Sequence, residues 1–296
     1  MRGRFGVPFF LFHMNGKLHP VILSLPAILA FSFQTLAADV TLPQAEGSIG
    51  FAVIGDYGTG GRGQYEVAAQ MAAFHELFSF GFVLTLGDNV YGPDNKGALK
   101  KKFELPYRPL LDENVRFYAS LGNHDSSALS HYAPFNMNGL RYYTLRMSDV
   151  EFFALDSGNM DVAQLDWLTN RLAASTAHWK ICYFHHPLYS DGKRHGPSEK
   201  LRTQLEPLFV RFGVQVVLSG HEHFYERIVP QRGVQYFILG NSGQLRKGNI
   251  KPSALTAIGF DSDLAFMAAE IAGDEFHFQV ISRTGATIDS GVVLHK

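Results

Sequence analysis

Residues 82–91 read Phe82-Val83-Leu84-Thr85-Leu86-Gly87-Asp88-Asn89-Val90-Tyr91. A short apolar, β-branched run that stops at Gly-Asp is the mark of a buried strand, and the polar residues behind it fall at the strand's carboxyl end. In α/β sheets that end is where ligand crevices open. The same pattern recurs along the chain: Phe51–Gly55 leads into Asp56-Tyr57-Gly58, Phe117–Leu121 into Gly122-Asn123-His124-Asp125, Lys180–Phe184 into His185-His186-Pro187, and Val214–Ser219 into Gly220-His221-Glu222-His223. Glycine precedes the key residue in four of these five motifs, which lets the backbone turn sharply and come close to an ion or a phosphate. Five loops are therefore expected to meet on one rim.

Between these strands, residues 64–78, 164–174 and 198–212 carry apolar residues at helical spacing. Residues 142–146 and 152–155 are two strands without an intervening helix, as in a hairpin. After His223 the pattern becomes strands alone, at 224–229, 234–239, 265–271, 276–281 and 287–293, separated by turns such as Gln231-Arg232-Gly233. The two halves together predict an α/β protein built as a four-layer α/β/β/α sandwich of two mixed sheets. No repeat or Pro/Ser-rich linker interrupts it, so residues 39–296 read as a single domain.

The chain has 296 residues and a net charge of -1. Arg2, Arg4 and Lys17 are unbalanced by any acid before residue 38, which leaves 23 basic against 27 acidic residues in the remainder. A mildly acidic body gives no ground for general affinity to nucleic acid or to an anionic membrane. Residues 1–38 have the form of a cleavable signal peptide: a basic start, the apolar stretch 21–33, and small residues at Ala37-Ala38. Met14 is an alternative start that leaves a leader of ordinary length, and the apolar stretch falls short of the about 20 residues a membrane span needs. Cys182 is the only cysteine, so no intrachain disulfide can form, and there is no Asn-x-Ser/Thr sequon. These features predict an exported protein, periplasmic or secreted, of bacterial type.

The motif residues are metal ligands by type. Two cations about 3.5 to 4 Å apart need a bridge, and a carboxylate has two oxygens to supply it. With Asp88 as that bridge, one ion takes Asp56, Asp88, Tyr91 and His223, and the other takes Asp88, Asn123, His185 and His221. Carboxylates and a phenolate are hard donors that suit Fe3+, whereas imidazoles, an amide and one carboxylate suit a divalent ion such as Fe2+, Zn2+ or Mn2+. His186 reads as a neighbour of the ligands, and His75, His131, His178 and His277 as structural. Cys182, Trp167 and at least one of Tyr142 and Tyr143 are expected in the core, and Lys100-Lys101-Lys102 on a solvated helix face.

These motifs resemble the calcineurin-like metallophosphoesterases, and among them the small, tartrate-resistant type of purple acid phosphatase. Most of the superfamily has Asp-x-His at the first motif; here Gly58 takes the histidine's place, and Tyr91 in Gly-Asp-x-x-Tyr is the compensating mark of the purple branch. Ala154-Leu155-Asp156-Ser157, Gln164-Leu165-x-Trp167-Leu168 and His195-Gly196-Pro197 extend the likeness over residues 50–243. The connection from Asp156 to Gln164 is too short for the exposed loop of the mammalian enzymes. The resemblance implies hydrolysis of phosphate monoesters by a metal-activated hydroxide, with His124 and His195 orienting phosphate and protonating the leaving group; Asp125, the residue after His124, is expected to orient it. Small phosphorylated substrates follow from it. It leaves open a phosphodiesterase or nucleotide phosphatase on the same metals, and a non-catalytic binding scaffold of the same fold. Specificity is expected in the loops 92–98 and 190–194.

Overall fold

The computed structural model describes residues 39–295, so the leader expected over residues 1–38 and the alternative start at Met14 lie outside the described residues. Thirteen strands form two mixed sheets among the described residues. In the first, β1 (Ile49–Ile54), β2 (Phe82–Leu86) and β3 (Arg116–Ser120) run parallel, and β11 (Ala265–Ala272), β12 (Glu275–Ser282) and β13 (Thr287–Leu294) extend it antiparallel from β1. The second is ordered β10-β8-β9-β7-β6-β5-β4. Its parallel centre is β5 (Val150–Ala154), β6 (Trp179–Phe184), β7 (Val216–Ser219) and β9 (Gln235–Leu239). Its antiparallel members are β4 (Tyr143–Met147), β8 (Tyr225–Ile228) and β10 (Thr256–Phe260).

The sheets face each other through aromatic residues of alternating register. Phe51 of β1 and Phe82 of β2 meet Phe152 of β5 edge to face at 5.3 and 5.5 Å, and Phe237 of β9 meets Phe278 of β12 at 4.9 Å. Helix α1 (Arg62–His75) covers the outer face of the first sheet, its Phe74 against Phe266 of β11. Two more helices, Val162–Ala174 and Glu199–Phe212, cover the second sheet; Leu168, Leu172, Leu201, Leu205 and Phe209 bury against Phe153, Cys182, Phe184 and Val217. The result is the expected four-layer sandwich. No helix of the described residues is long and apolar enough to cross a membrane.

Local signals explain where the elements stop. Asp161 caps the helix that follows it by accepting from the Gln164 amide at 2.8 Å, and the later helix ends at Gly213, whose φ of +69° closes the last turn. The hairpin β4–β5 is present, with Ser148 at φ +49° in its turn. Two stretches were not legible. β10 is an exposed edge strand with a register shift at Thr256/Ile258, too irregular to show period-two alternation. Residues 96–112 hold three short helical pieces, one a π-helical turn at Lys100–Glu104, each below the length at which a helical period can be read. Trp167 corrects the expectation of a core residue: it is half-buried, with its ring on Tyr142 at 4.9 Å, because its helix faces solvent there. Tyr143 and Cys182 are buried, as expected. Within the lysine run Lys102 is also a correction, since its ammonium turns inward and donates to the Tyr91 carbonyl.

Candidate metal centre

The five motifs sit at the carboxyl ends of β1, β2, β3, β6 and β7, and the facing of the two sheets brings them together. The first two loops are locked to each other by backbone. Asp56 N donates to Gly87 O at 3.1 Å, Gly58 N to Asp88 O at 3.2 Å, and Tyr91 N to Gly58 O at 2.9 Å. At Gly58 the approach is so close that a Cβ would lie 2.1 Å from the Asn89 carbonyl oxygen. No side chain can stand there, so none can reach the site from position 58. The ring of Tyr91 arrives from the opposite loop instead.

Its hydroxyl lies 3.1 Å from Asp56 Oδ1 and 3.3 Å from His223 Nε2, and His223 Nε2 is 3.3 Å from Asp56 Oδ1. Beside this triangle is a second one: His185 Nε2 is 2.9 Å from Asn123 Oδ1, 3.1 Å from His221 Nδ1 and 3.5 Å from Asp88 Oδ1. Asp88 also groups with Asp56 and His223, so its carboxylate faces both sets. Donors held about 2.0 to 2.2 Å from one cation stand about 2.8 to 3.6 Å apart when adjacent in octahedral or tetrahedral arrangement. The measured separations match that span, and the donor set fits two ions.

The backbone is strained to achieve this. Asp56, Asp88 and His221 have φ of +53°, +52° and +69°, the left-handed region that costs a side-chain-bearing residue about 1 kcal/mol or more. Hydrogen bonds hold them there: His221 N donates to Asp56 Oδ2 at 2.7 Å and His124 N to Asp88 Oδ1 at 2.9 Å. His185 is oriented by Nδ1, 2.9 Å from Leu86 O, which leaves Nε2 for the centre. Burial pushes the imidazoles down, His221 to about 2, His223 to about 3 and His185 well below the usual range, so all three are neutral donors. Burial and then the neighbouring Asp88 push Asp56 up, and burial with Asp56 and Asp88 pushes the Tyr91 phenol up. A cation among these groups reverses the rise, since positive charge favours carboxylate and phenolate.

His124 and His195 are exposed beside the donors, the first with its ring 4.8 Å from Tyr91, the second 4.3 Å from His221. Asp125 corrects the expectation that it orients His124. Its carboxylate accepts from Asn89 N, Asn89 Nδ2, Val90 N and Gly122 N, at 3.1, 2.7, 3.0 and 2.9 Å. It fastens the Asp88 loop to the Asn123 loop. His186 stands closer to the centre than its sequence position suggested: its ring is 4.5 Å from His221, and Ser157 Oγ fixes its Nδ1 at 2.9 Å.

Two residues were missed. Glu222, between the two histidines, is buried, and its carboxylate accepts from His195 N, Gly196 N and Asn249 Nδ2 at 3.2, 2.6 and 3.1 Å, which carries the His195 loop onto the centre. Arg246 hydrogen-bonds His223 O through its own backbone N at 3.0 Å. Glu222 lies within the last motif but its partners are distant in sequence, and Arg246 belongs to no motif, so only folding reveals what each does. A further His178/Asp274/His295 group lies at the start of β6, away from this rim; its two imidazoles are stacked 3.9 Å apart and nearly parallel, so their in-plane lone pairs do not converge.

Residues 49–225 match the sequence pattern of the calcineurin-like phosphoesterases. The chain belongs to that family. As a calcineurin-like phosphoesterase it is 26% identical to tartrate-resistant acid phosphatase type 5 of Rattus norvegicus over 304 aligned positions, which cover 86% of this chain and 92% of the rat protein. It is 27% identical to purple acid phosphatase 7 of Arabidopsis thaliana over 245 positions, 71% of this chain and 74% of the plant protein. Among solved structures, the purple acid phosphatase PPD1 of yellow lupin superposes with a TM-score of 0.71 at 16% identity, covering 86% of this chain and 55% of the lupin chain. GAP50, described as the anchor in the inner membrane complex of Plasmodium, superposes with 0.73 at 20% identity over 84% of this chain and 89% of its own. These two likenesses speak for the fold.

Proposed function

We propose that this calcineurin-like phosphoesterase is an exported acid phosphatase of the purple type, one domain over residues 39–296, that hydrolyses phosphate monoesters at a dinuclear centre. The observation that carries the reading is the position of the Tyr91 hydroxyl, 3.1 Å from Asp56 and 3.3 Å from His223, over a Gly58 that admits no side chain. Asp56, Asp88, Tyr91 and His223 would hold Fe3+, and Asp88, Asn123, His185 and His221 a divalent ion, Fe2+, Zn2+ or Mn2+. When bound, the two ions supply Lewis-acid polarisation of the phosphate and acidify a water for in-line attack.

The chain's own contribution is orientation and proton handling. His124, on the Asn123 loop, and His195, carried by Glu222, face the position a phosphate ester takes above the two donor sets. Either imidazole can bind a phosphate oxygen, and His195 is assigned to hold the proton that the departing ester oxygen receives. Burial, followed by the neighbouring Arg246, lowers the His195 imidazole, so it is the stronger acid when protonated and holds its proton only in acid solution.

The test is metal analysis and the visible spectrum of purified wild type against Tyr91→Phe, with rates on p-nitrophenyl phosphate and its bis ester. A coloured, iron-containing wild type that loses its band in Tyr91→Phe and prefers the monoester is the expected outcome. A colourless, iron-free active enzyme refutes the iron assignment. A dominant diester rate would make it a phosphodiesterase, and turnover of neither ester a binding scaffold.

A further inference from the structure

Arg246 has a guanidinium without a partner at the rim of the centre. Its Nη1 is fully buried and makes no hydrogen bond, and no carboxylate among the described residues forms a salt bridge with it. A buried donor left unmade is costly, on the order of 1–3 kcal/mol and more for a charged group, so it persists where a ligand supplies the acceptor.

The backbone around Arg246 is fixed from several sides. Ser242 N donates to Gly55 O at 3.1 Å, Arg246 N to His223 O at 3.0 Å, and Lys193 N to Asn249 O at 2.9 Å. Gly243 lies so close to Tyr57 that a Cβ would be 2.3 Å from its carbonyl oxygen. The segment 241–250 thereby runs from the Asp56 loop to the His195 loop, with Arg246 between His223 and His195. Glu222, one residue from the His223 whose carbonyl takes the Arg246 amide, has its carboxylate occupied by His195 N, Gly196 N and Asn249 Nδ2. The Arg246 N bond to the His223 carbonyl sets the residue beside the Asp56, Tyr91 and His223 donors, on the stretch that leads to the His195 loop.

We propose that Arg246 is a substrate-binding residue that selects the dianionic phosphate of monoesters over the monoanionic phosphate of diesters. The inference rests on the phosphatase reading above and adds the residue that sets its charge preference. A guanidinium fork pairs with two phosphate oxygens at once. Above pH of about 6 a phosphomonoester carries two charges and a diester one, so the guanidinium pairs more strongly with the monoester; toward pH of about 5 the monoester also falls to one charge and the preference should fade.

The test compares wild type, Arg246→Met and Arg246→Lys as metal-loaded proteins at a pH near 7, after metal content and melting temperature have been checked. Inorganic phosphate is titrated by calorimetry, and KM and kcat are measured on p-nitrophenyl phosphate and its bis ester. Arg246→Met should weaken inorganic phosphate and raise monoester KM about 10- to 100-fold, with diester KM changed less than about threefold. Arg246→Lys, which keeps charge and most of the volume, should fall between, since it lacks the fork; it carries the test if the methionine variant does not fold. Phosphate affinity within twofold of wild type in both variants overturns the proposal, as does equal weakening of both esters. Because the calorimetry needs no turnover, phosphate binding that depends on Arg246 in a protein inactive on both esters would sink the catalytic reading and leave the anion site standing.

Discussion

Gly58→Ala tests the idea that loop packing, rather than ligand chemistry alone, decides that a tyrosine serves this centre. The new Cβ would stand 2.1 Å from Asn89 O, 2.3 Å from Asn89 C and 2.5 Å from Val90 N, all backbone atoms that cannot rotate away. The loops 55–60 and 87–91 must part by more than 1 Å to reach ordinary contact distances of about 3.5 Å. Overpacking of this kind costs about 1–3 kcal/mol. Parting the loops also breaks Gly58 N to Asp88 O and Tyr91 N to Gly58 O, two buried hydrogen bonds at about 1 kcal/mol each. The sum is about 3–5 kcal/mol, which for a domain of this size lowers Tm by about 6–10 °C. The same movement draws the Tyr91 hydroxyl away from Asp56 and His223, so the tyrosine-dependent visible band should weaken in step with iron content. Restoring the superfamily's histidine in Gly58→His/Tyr91→Phe should not rescue metal binding, because the clash begins at Cβ. Calorimetric melting, metal analysis and absorption spectra check all three statements. A Gly58→Ala protein with wild-type Tm and an unchanged band would refute the packing argument.

Two further outcomes follow from other contacts. His195→Asn should lower kcat by about 10²–10⁴ with metal content unchanged, and the loss should be larger for an alkyl phosphate than for p-nitrophenyl phosphate, whose leaving group needs no proton; an equal loss on both would rule out the proton-donor role. At the far end of α1, His75 is buried with its Nδ1 accepting from Phe80 N at 3.3 Å, and burial lowers its imidazole below the ordinary value of 6.5, with Glu113 opposing. Its folded value lies below its unfolded one, so its contribution is complete above pH 6.5 and is lost progressively as pH falls from there through the lower folded value; Tm should drop as pH falls from 7 in wild type, and the drop should be shallower in His75→Gln.

Much of the architecture was legible because strands and helices carry their periodicity in contiguous residues. The runs before Gly55, Gly87 and Gly220 announce buried parallel strands, and the Leu168/Leu172 and Leu201/Leu205/Phe209 spacings announce the covering helices. β10 and the pieces between Lys96 and Asp112 escaped, since an irregular edge strand and helices of four or five residues are held by tertiary contacts more than by their own pattern. The donor residues were legible by type. Their neighbours were not: Asp125 proved to clamp two loops rather than a histidine, Glu222 sat inside a motif without showing what it holds, and Arg246 carried no motif at all.

What the sequence determined by itself is the inventory: an α/β chain with carboxylates, imidazoles, an amide and a phenol placed after strand ends, all of them metal-ligating types. Tertiary structure decided which of these atoms meet. Two facing sheets set Tyr91, Asp56 and His223 within 3.3 Å of one another although 35 and 132 residues of chain separate Tyr91 from the other two. Only that packing shows why position 58 must be glycine, since the constraint is a carbonyl oxygen of another loop. The same holds for Arg246, whose unpartnered nitrogen becomes visible only when burial removes water from it and no acid takes water's place.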